Sequence, residues 1–176
     1  MDFRQTDTEA NSVNILIVSV LDHKSQFVET ETDSAQLRAQ KVALRELLES
    51  HLAEHKITAI NEEWSRAEMT IAHQVASRNE PAIPWHNIDM TDDERRAAGI
   101  FDAQRNRPGH ADWSDMPPSW IRDRIPSDEV REGFFVNRIL EANASDGKVL
   151  VLLGNMHATQ VAEKLCQMGH IIEIQP

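Results

Sequence analysis

The sequence predicts an α/β fold: a three-layer, mostly parallel sheet of about five strands with helices on both faces. Short apolar runs alternate along the chain with longer segments whose apolar residues recur every three or four positions. The runs at 14–21 and 149–153 are nearly continuous in Val, Ile and Leu, which is typical of strands covered on both faces. Strands that alternate with helices favour a parallel, Rossmann-like sheet between two helical layers.

The first half of the chain contains two strand–helix units. The strand at 14–21 is followed by an amphipathic helix over 34–55, with Asp or Ser available as its N-cap. A second strand at 56–60 leads directly into Asn61 and two glutamates, and helical spacing returns over 64–78. Acidic side chains are therefore expected at a junction between a strand and a helix.

The second half repeats this alternation around one long irregular segment. The remaining elements are a strand at 82–89, a helix beginning near 91, a helix at 127–143, the strand at 149–153, a helix at 158–168 and a last strand at 170–174. The segment 105–126 holds four of the seven prolines and two tryptophans. Loops longer than about 15 residues in compact domains are usually functional or disordered, and tryptophans argue against plain disorder. We expect one domain over 1–176 with a loop or lid at 105–126.

Composition excludes several classes of protein. The chain has 18 Lys and Arg against 29 Asp and Glu, a net charge of −11, which argues against nucleic-acid or anionic-membrane partners. No stretch reaches the roughly 18 consecutive apolar residues of a membrane span, and the N-terminus does not resemble a signal peptide. The single Cys166 excludes an internal disulfide and is expected to be buried and inert. We expect a cytoplasmic protein with a small-molecule or peptide substrate; homo-oligomer formation stays open.

Polar side chains follow four successive predicted strands. They are His23, Glu62 with Glu63, Asp89 and His157. Each alone has an ordinary structural explanation, such as capping the next helix or hydrogen bonding to backbone. Because the carboxyl ends of parallel strands meet at one edge of a sheet, we expect all of them to converge there. Two carboxylates and two imidazoles can hold a divalent metal and activate water, or share acid and base roles without a metal.

Further residues are predicted to contact a substrate. Arg131 lies in the helix that follows the long loop, and it either packs as part of an ordinary amphipathic helix or binds an anionic group. The predicted substrate contacts are Asp89, His110, Trp113 and Asn155. By contrast, His51, His55 and His73 fall on helices, where solvent exposure is expected. A dinucleotide site is not expected, because no Gly-x-Gly-x-x-Gly turn follows the first strand.

Several of these segments together resemble a known superfamily. They are the turn bearing His23, the acid pair Glu62-Glu63 before an Ala-rich helix, the Ile-Pro-x-x-x-Ile-Asp segment at 83–89, the Arg-Glu-x-x-Phe helix at 131–135, and the Leu-Leu-Gly-Asn-Met-His unit at 152–157. In this order they resemble the superfamily that groups erythromycin esterase-like, ChaN-like and TIKI/TraB-like proteins. One departure is Leu21-Asp22 before His23, where those families tend to carry Gly-Glu.

The resemblance implies a hydrolase, with or without a divalent metal, and haem binding in the ChaN-like branch. Carried over to this chain, Glu62 or Glu63 is a base or metal ligand, His157 is a ligand or general acid, His23 is its partner histidine and Arg131 is a substrate clamp. The metal ligands implied are Glu62, Glu63 and His157. The leading hypothesis is therefore cleavage of an ester, amide or peptide bond.

Two alternatives from other classes stay open. One is a binding module for haem, a metal or a nucleotide, in which His157 contacts the ligand and no bond is broken. The other is an interaction domain with Trp113 and Trp120 as anchors.

Overall fold

The computed structural model describes residues 12–21, 23–64, 69–100, 126–142 and 147–175. Its sheet has five strands: β1 (Asn14–Val20), β2 (Ile57–Glu62), β3 (Trp85–Asn87), β4 (Lys148–Gly154) and β5 (Ile171–Gln175). The spatial order is β3-β2-β4-β1-β5, and every neighbouring pair is parallel. The predicted α/β fold is confirmed.

Five helices are described, and their starts follow from capping side chains where those are present. They are α1 (Ala35–Glu54), α2 (Ile71–Arg78), α3 (Asp92–Ala97), α4 (Pro126–Glu141) and α5 (Asn155–Gln167). The hydroxyl groups of Ser34, Thr70 and Thr91 accept hydrogen bonds from first-turn backbone N–H groups of α1, α2 and α3. A 3-10 turn at His23–Gln26 follows β1.

The core consists of two apolar layers, one on each face of the sheet. Successive strand residues point to opposite faces, so Ile15 and Ile17 pack against α4 and α5 while Leu16 and Val18 pack against α1 and α2. β4, which lies between β1 and β2, alternates in the same way. This arrangement is the predicted three-layer architecture, and it fixes which helices each strand-end residue can meet.

Element boundaries differ from the sequence prediction in ways that affect the site. β2 continues to Glu62, two residues beyond its predicted end, because Asn61 and Glu62 still pair with β3 and β4. The helix predicted over 64–78 begins only at Ile71, after the Thr70 cap. The strand predicted over 82–89 is reduced to three residues. α5 begins directly after Gly154, earlier than predicted.

Some predictions fall outside the described residues or are wrong. The segment 101–125 is not described, so the predicted lid, His110, Trp113 and Trp120 lie outside the structure; Pro126 already belongs to α4. Cys166 is exposed, although Val161 and Leu165 on the same helix are buried, so its predicted burial is wrong. None of the described helices is both long and apolar enough to cross a lipid bilayer.

Candidate active site

Arg131 connects three of the residues predicted to converge at the strand ends. Its Nη2 lies 2.9 Å from Glu63 Oε1 and 3.1 and 3.2 Å from the two carboxylate oxygens of Asp89. Its Nη1 lies 3.3 Å from His157 Nε2. All four side chains are buried. We call Glu63, Asp89, Arg131 and His157 the Arg131 cluster.

Asp89 holds Arg131 in place. Besides Arg131, its carboxylate accepts a hydrogen bond from Arg95 Nη2 at 2.6 Å and one from the Met90 backbone N–H at 2.7 Å. Two guanidinium groups and a backbone donor therefore surround one buried carboxylate. These contacts suit a positioning role; the predicted contact of Asp89 with substrate stays a prediction.

His157 has both ring nitrogens engaged. Arg131 can only donate hydrogen bonds, so His157 Nε2 accepts, and the ring hydrogen lies on Nδ1, 3.1 Å from Glu132 Oε1. The ring meets Phe135 edge-on, with centroids 5.5 Å apart. A buried imidazole with both nitrogens occupied has no lone pair available for a metal or for haem iron.

Glu63 is held ionised inside the Arg131 cluster. Burial raises the pKa of its carboxyl, but the positive charge that the rings of His157 and His23 carry when protonated, the guanidinium of Arg131 and the Gly154 N–H outweigh this, and the pKa lies below its usual value. The Gly154 N–H donates to Glu63 Oε2 at 2.8 Å. Both oxygens of Glu63 therefore have donors before any ligand arrives.

Glu62 faces the other side of the sheet. Its Oε1 accepts from Gln26 Nε2 at 2.8 Å, and its Oε2 accepts from the Thr70 hydroxyl at 2.6 Å and the Trp85 indole N–H at 2.8 Å. Burial raises the pKa of this carboxyl above its usual value, and the three neutral donors only partly oppose that effect. Adjacent glutamates thus have pKa values displaced in opposite directions.

The predicted metal set of Glu62, Glu63 and His157 does not fit this geometry. The two carboxylates point to opposite faces of β2, and their oxygens and both His157 nitrogens have other partners. Within the described ranges, the one group of three His, Cys, Asp or Glu side chains whose ligand atoms lie within 4.8 Å of one another is elsewhere, in and just after α1. We derive no catalytic step through a metal at the strand ends.

His23 is linked to Glu62 through Gln26. The Gln26 Nε2 group donates to Glu62 Oε1 and lies 3.5 Å from the backbone oxygen of Glu63, so both of its partners are acceptors. This orientation turns the Gln26 amide oxygen toward His23 Nδ1, at 2.6 Å. Because an amide oxygen only accepts, Nδ1 carries the hydrogen, and Nε2 keeps a lone pair with no hydrogen-bond partner among the described residues.

Gly154 brings His23 and Glu63 close together. A Cβ at position 154 would lie 3.0 Å from His23 Nε2 and 3.3 Å from Glu63 Oε2, so a larger residue would press on both side chains. Gly154 is also the N-cap of α5, and no side chain in the described structure caps that helix. α5 begins at Asn155, directly after the glycine that the exposed His23 ring approaches, and the first-turn N–H groups of a helix have no partner within the helix itself.

Sequence reasoning missed several polar residues at this site, among them Arg95 beside Asp89. Gln26, Thr70 and Trp85 surround Glu62, and Asn61 is fully buried with neither amide atom paired within the described ranges. The N-capping position of Thr70 was a usable signal. For Gln26 and Trp85 the partner is far away in sequence, and only the folded chain brings them together.

The chain matches no protein-family model, no curated protein and no solved structure in comparisons with each. Membership of the esterase-like superfamily therefore remains a proposal based on the motifs quoted above.

Proposed function

We propose that the chain is a hydrolase of ester, amide or peptide bonds in which His23 is the general base. The observation that carries the proposal is the hydrogen-bonded chain from Glu62 through Gln26 to His23. In hydrolases a buried carboxylate hydrogen-bonded to an imidazole keeps the base in its reactive tautomer, and here the Gln26 amide lies between the two groups.

The reaction follows from the free Nε2 lone pair. His23 Nε2 takes a proton from water as the water oxygen bonds to the carbonyl carbon, and the carbonyl π electrons move to oxygen. In this proposal the first-turn N–H groups of α5 stabilise that oxyanion. When the C–O or C–N bond to the leaving group breaks, the leaving group takes the proton from Nε2. The base is thereby restored.

Glu63 supports this step electrostatically. His23 gains a positive charge when it takes the proton, and the ionised Glu63 carboxylate faces it across Gly154. Arg131 and the Gly154 N–H occupy the oxygens of Glu63, so this carboxylate stabilises charge and does not itself remove a proton from water. His157 and Asp89 keep Arg131 in position. The catalytic residue is His23, and the Arg131 cluster holds the Glu63 carboxylate near it.

The test measures the tautomer and the activity separately. Long-range ¹H–¹⁵N NMR on the full chain should find the His23 hydrogen on Nδ1. Hydrolysis of a panel of p-nitrophenyl esters and peptide p-nitroanilides should fall by about 10²-fold or more in His23→Ala, as general-base catalysis implies. His86→Ala, at an exposed histidine of β3, is the matched control and should keep full activity.

Two results would overturn the proposal. One is a hydrogen on Nε2 of His23 at neutral pH, which would remove the lone pair from the reacting position. The other is hydrolysis by His23→Ala at the rate of the wild-type protein.

A further inference from the structure

His51, Glu54 and His55 form a second cluster of titratable side chains, separate from the active site. Each offers one ligand atom, and these atoms lie within 4.8 Å of one another. Positions i, i+3 and i+4 share one side of a helix. His51 contacts Gln175 on the edge strand β5, whereas the active-site residues follow β1, β2 and β4 or lie beside them, so the two clusters are separate. We call these three residues the α1 triad.

The predicted exposure of His51 is wrong, and its environment points to a ligand. His51 is 3% exposed, and its Nε2 lies 2.7 Å from Gln175 Oε1 on β5. With an amide oxygen as partner, Nε2 carries the hydrogen and Nδ1 keeps the lone pair. Nδ1 is buried and has no hydrogen-bond partner within the described structure. A buried imine nitrogen without a donor is unfavourable, and binding a cation there would satisfy it.

The surroundings suit a divalent cation. Ser50 donates to Glu54 Oε1 at 2.7 Å and orients that carboxylate. The C-terminal end of a helix carries a partial negative charge that favours cations. Metal-ligating histidines usually donate their other ring N–H to an oxygen, as His51 does to Gln175. The C-terminus of α1 thus supplies both the ligands and a favourable field.

The site is also accessible. Glu54 is exposed, and the half-buried His55 lines a groove of about 420 Å³ with Leu52 and Pro84. Three protein ligands leave a fourth coordination position free for water or another ligand.

We propose that the α1 triad binds one divalent transition-metal ion through a ring nitrogen of His51, a carboxylate oxygen of Glu54 and a ring nitrogen of His55. Two imidazoles and a carboxylate are a donor set that suits Zn²⁺. Gln175 holds the His51 ring from β5, so the bound ion would join the end of α1 to the edge strand of the sheet.

The experiment titrates the full chain, stripped of metal with EDTA and dialysed, with ZnCl₂ in a calorimeter. The expected result is one Zn²⁺ per chain. His55→Ala and Glu54→Gln each remove a ligand from a half-buried or exposed position, and each should weaken binding by about 100-fold, since even outer-shell losses cost 10- to 100-fold. The matched controls are the exposed residues His86 and Glu46, whose variants His86→Ala and Glu46→Gln should bind like the wild type.

A variant of Gln175 tests the orienting contact. Gln175→Ala keeps all three ligands and should weaken Zn²⁺ binding by roughly 10-fold. His51→Ala is compared only after circular dichroism shows a folded chain, because His51 is buried. Absence of saturable Zn²⁺ binding to the wild type, or wild-type affinity in both His55→Ala and Glu54→Gln, would overturn the proposal. Binding is measured directly, so the result does not depend on the proposed hydrolysis.

Discussion

Glu62 and Glu63 are neighbours in the chain and are both almost fully buried, yet they lie in opposite environments. Glu62 faces the α1 and α2 side and meets only neutral donors, from Gln26, Thr70 and Trp85. Glu63 faces the α4 and α5 side and meets a guanidinium, a backbone N–H and two imidazoles. Burial raises the pKa of the first, and the positive surroundings lower the pKa of the second.

The difference separates two roles for a buried carboxylate. Without a guanidinium beside it, Glu62 acts through its hydrogen bonds, and its bond to Gln26 fixes the orientation of the amide that faces His23. With Arg131 beside it, Glu63 is a fixed negative charge that supports a positive charge on His23. Pairs of carboxyl groups whose environments separate their pKa values often divide catalytic work in this way.

The largest effect on stability is expected from removing the cation beside Glu63. Arg131→Met leaves Glu63 buried without its guanidinium and leaves Asp89 with Arg95 alone. Breaking a buried ion pair by removing one partner costs roughly 3–5 kcal/mol, and urea denaturation should show a loss of that size in the free energy of unfolding. Arg96→Met is the control, because its ion pair with Asp93 is largely exposed and should change stability by about 1 kcal/mol or less. Equal losses of stability in Arg131→Met and Arg96→Met would show that the Arg131 cluster contributes no more than an exposed ion pair.

The next effect concerns the Glu62 side and is larger for activity than for stability. In Glu62→Gln the new NH₂ group faces Gln26, whose amide must turn to accept, so its own NH₂ then faces His23 Nδ1. The hydrogen of His23 should move to Nε2, and hydrolysis should fall by about 10²-fold or more, as expected for a base in the wrong tautomer.

NMR of His23 distinguishes this effect from misfolding, because the tautomer changes while the chain stays folded. Glu31→Gln, at an exposed position, is the control and should leave both tautomer and activity unchanged. Retention of the hydrogen on Nδ1 in Glu62→Gln would show that the Gln26 link does not set the tautomer.

The pH dependence of stability should have opposite signs for the two glutamates. Glu63, with its lowered pKa, contributes stability that is fully present above the ordinary carboxyl value of 4.5 and is lost as pH falls through the lower folded value. Glu62, with its raised pKa, imposes a cost that is absent below 4.5 and grows as pH rises through its higher folded value.

Denaturation of Glu62→Gln and Glu63→Gln across acidic and neutral pH measures both terms. At neutral pH the free energy of unfolding of Glu63→Gln should be lower than that of the wild type, and this difference should disappear in acid. The free energy of unfolding of Glu62→Gln should increase, compared with the wild type, as pH rises. If the stability difference from the wild type changed with pH in the same direction for both variants, the two carboxyl environments would be electrostatically alike.

The smallest effect is expected from removing one hydrogen-bond donor to Glu62. Trp85→Phe deletes the indole N–H and leaves Thr70 on the same oxygen, so the expected loss of stability is about 1 kcal/mol. A double-mutant cycle with Glu62→Gln should give a measurable coupling energy, because the two residues share a hydrogen bond. Additive losses would assign the effect of Trp85→Phe to lost packing against His73 instead.

Sequence patterns were most reliable where the structure is repetitive. The strand and helix order was predictable from hydrophobic period alone, and so was the convergence of Glu63, Asp89 and His157 once a parallel sheet was assumed. One boundary error hid the separation of the glutamates: ending β2 at Ile60 placed both in a turn, whereas a strand continuing to Glu62 sends them to opposite faces. Similarly, His51 continues the buried stripe of Leu44 and Leu48 at helical spacing. That spacing could have predicted its burial.

The sequence by itself determined the α/β fold and the strand ends that carry polar side chains, because hydrophobic period and strand direction are local or repetitive properties. The tertiary structure decided the partner of each side chain: Arg131 for Glu63, Gln26 for Glu62 and His23, and Gln175 for His51. Except for the contact between Gln26 and His23 within one 3-10 turn, those contacts join residues far apart in the chain. Their hydrogen-bond directions, and hence the tautomers and charges at the site, exist only once the sheet and both helical layers have packed.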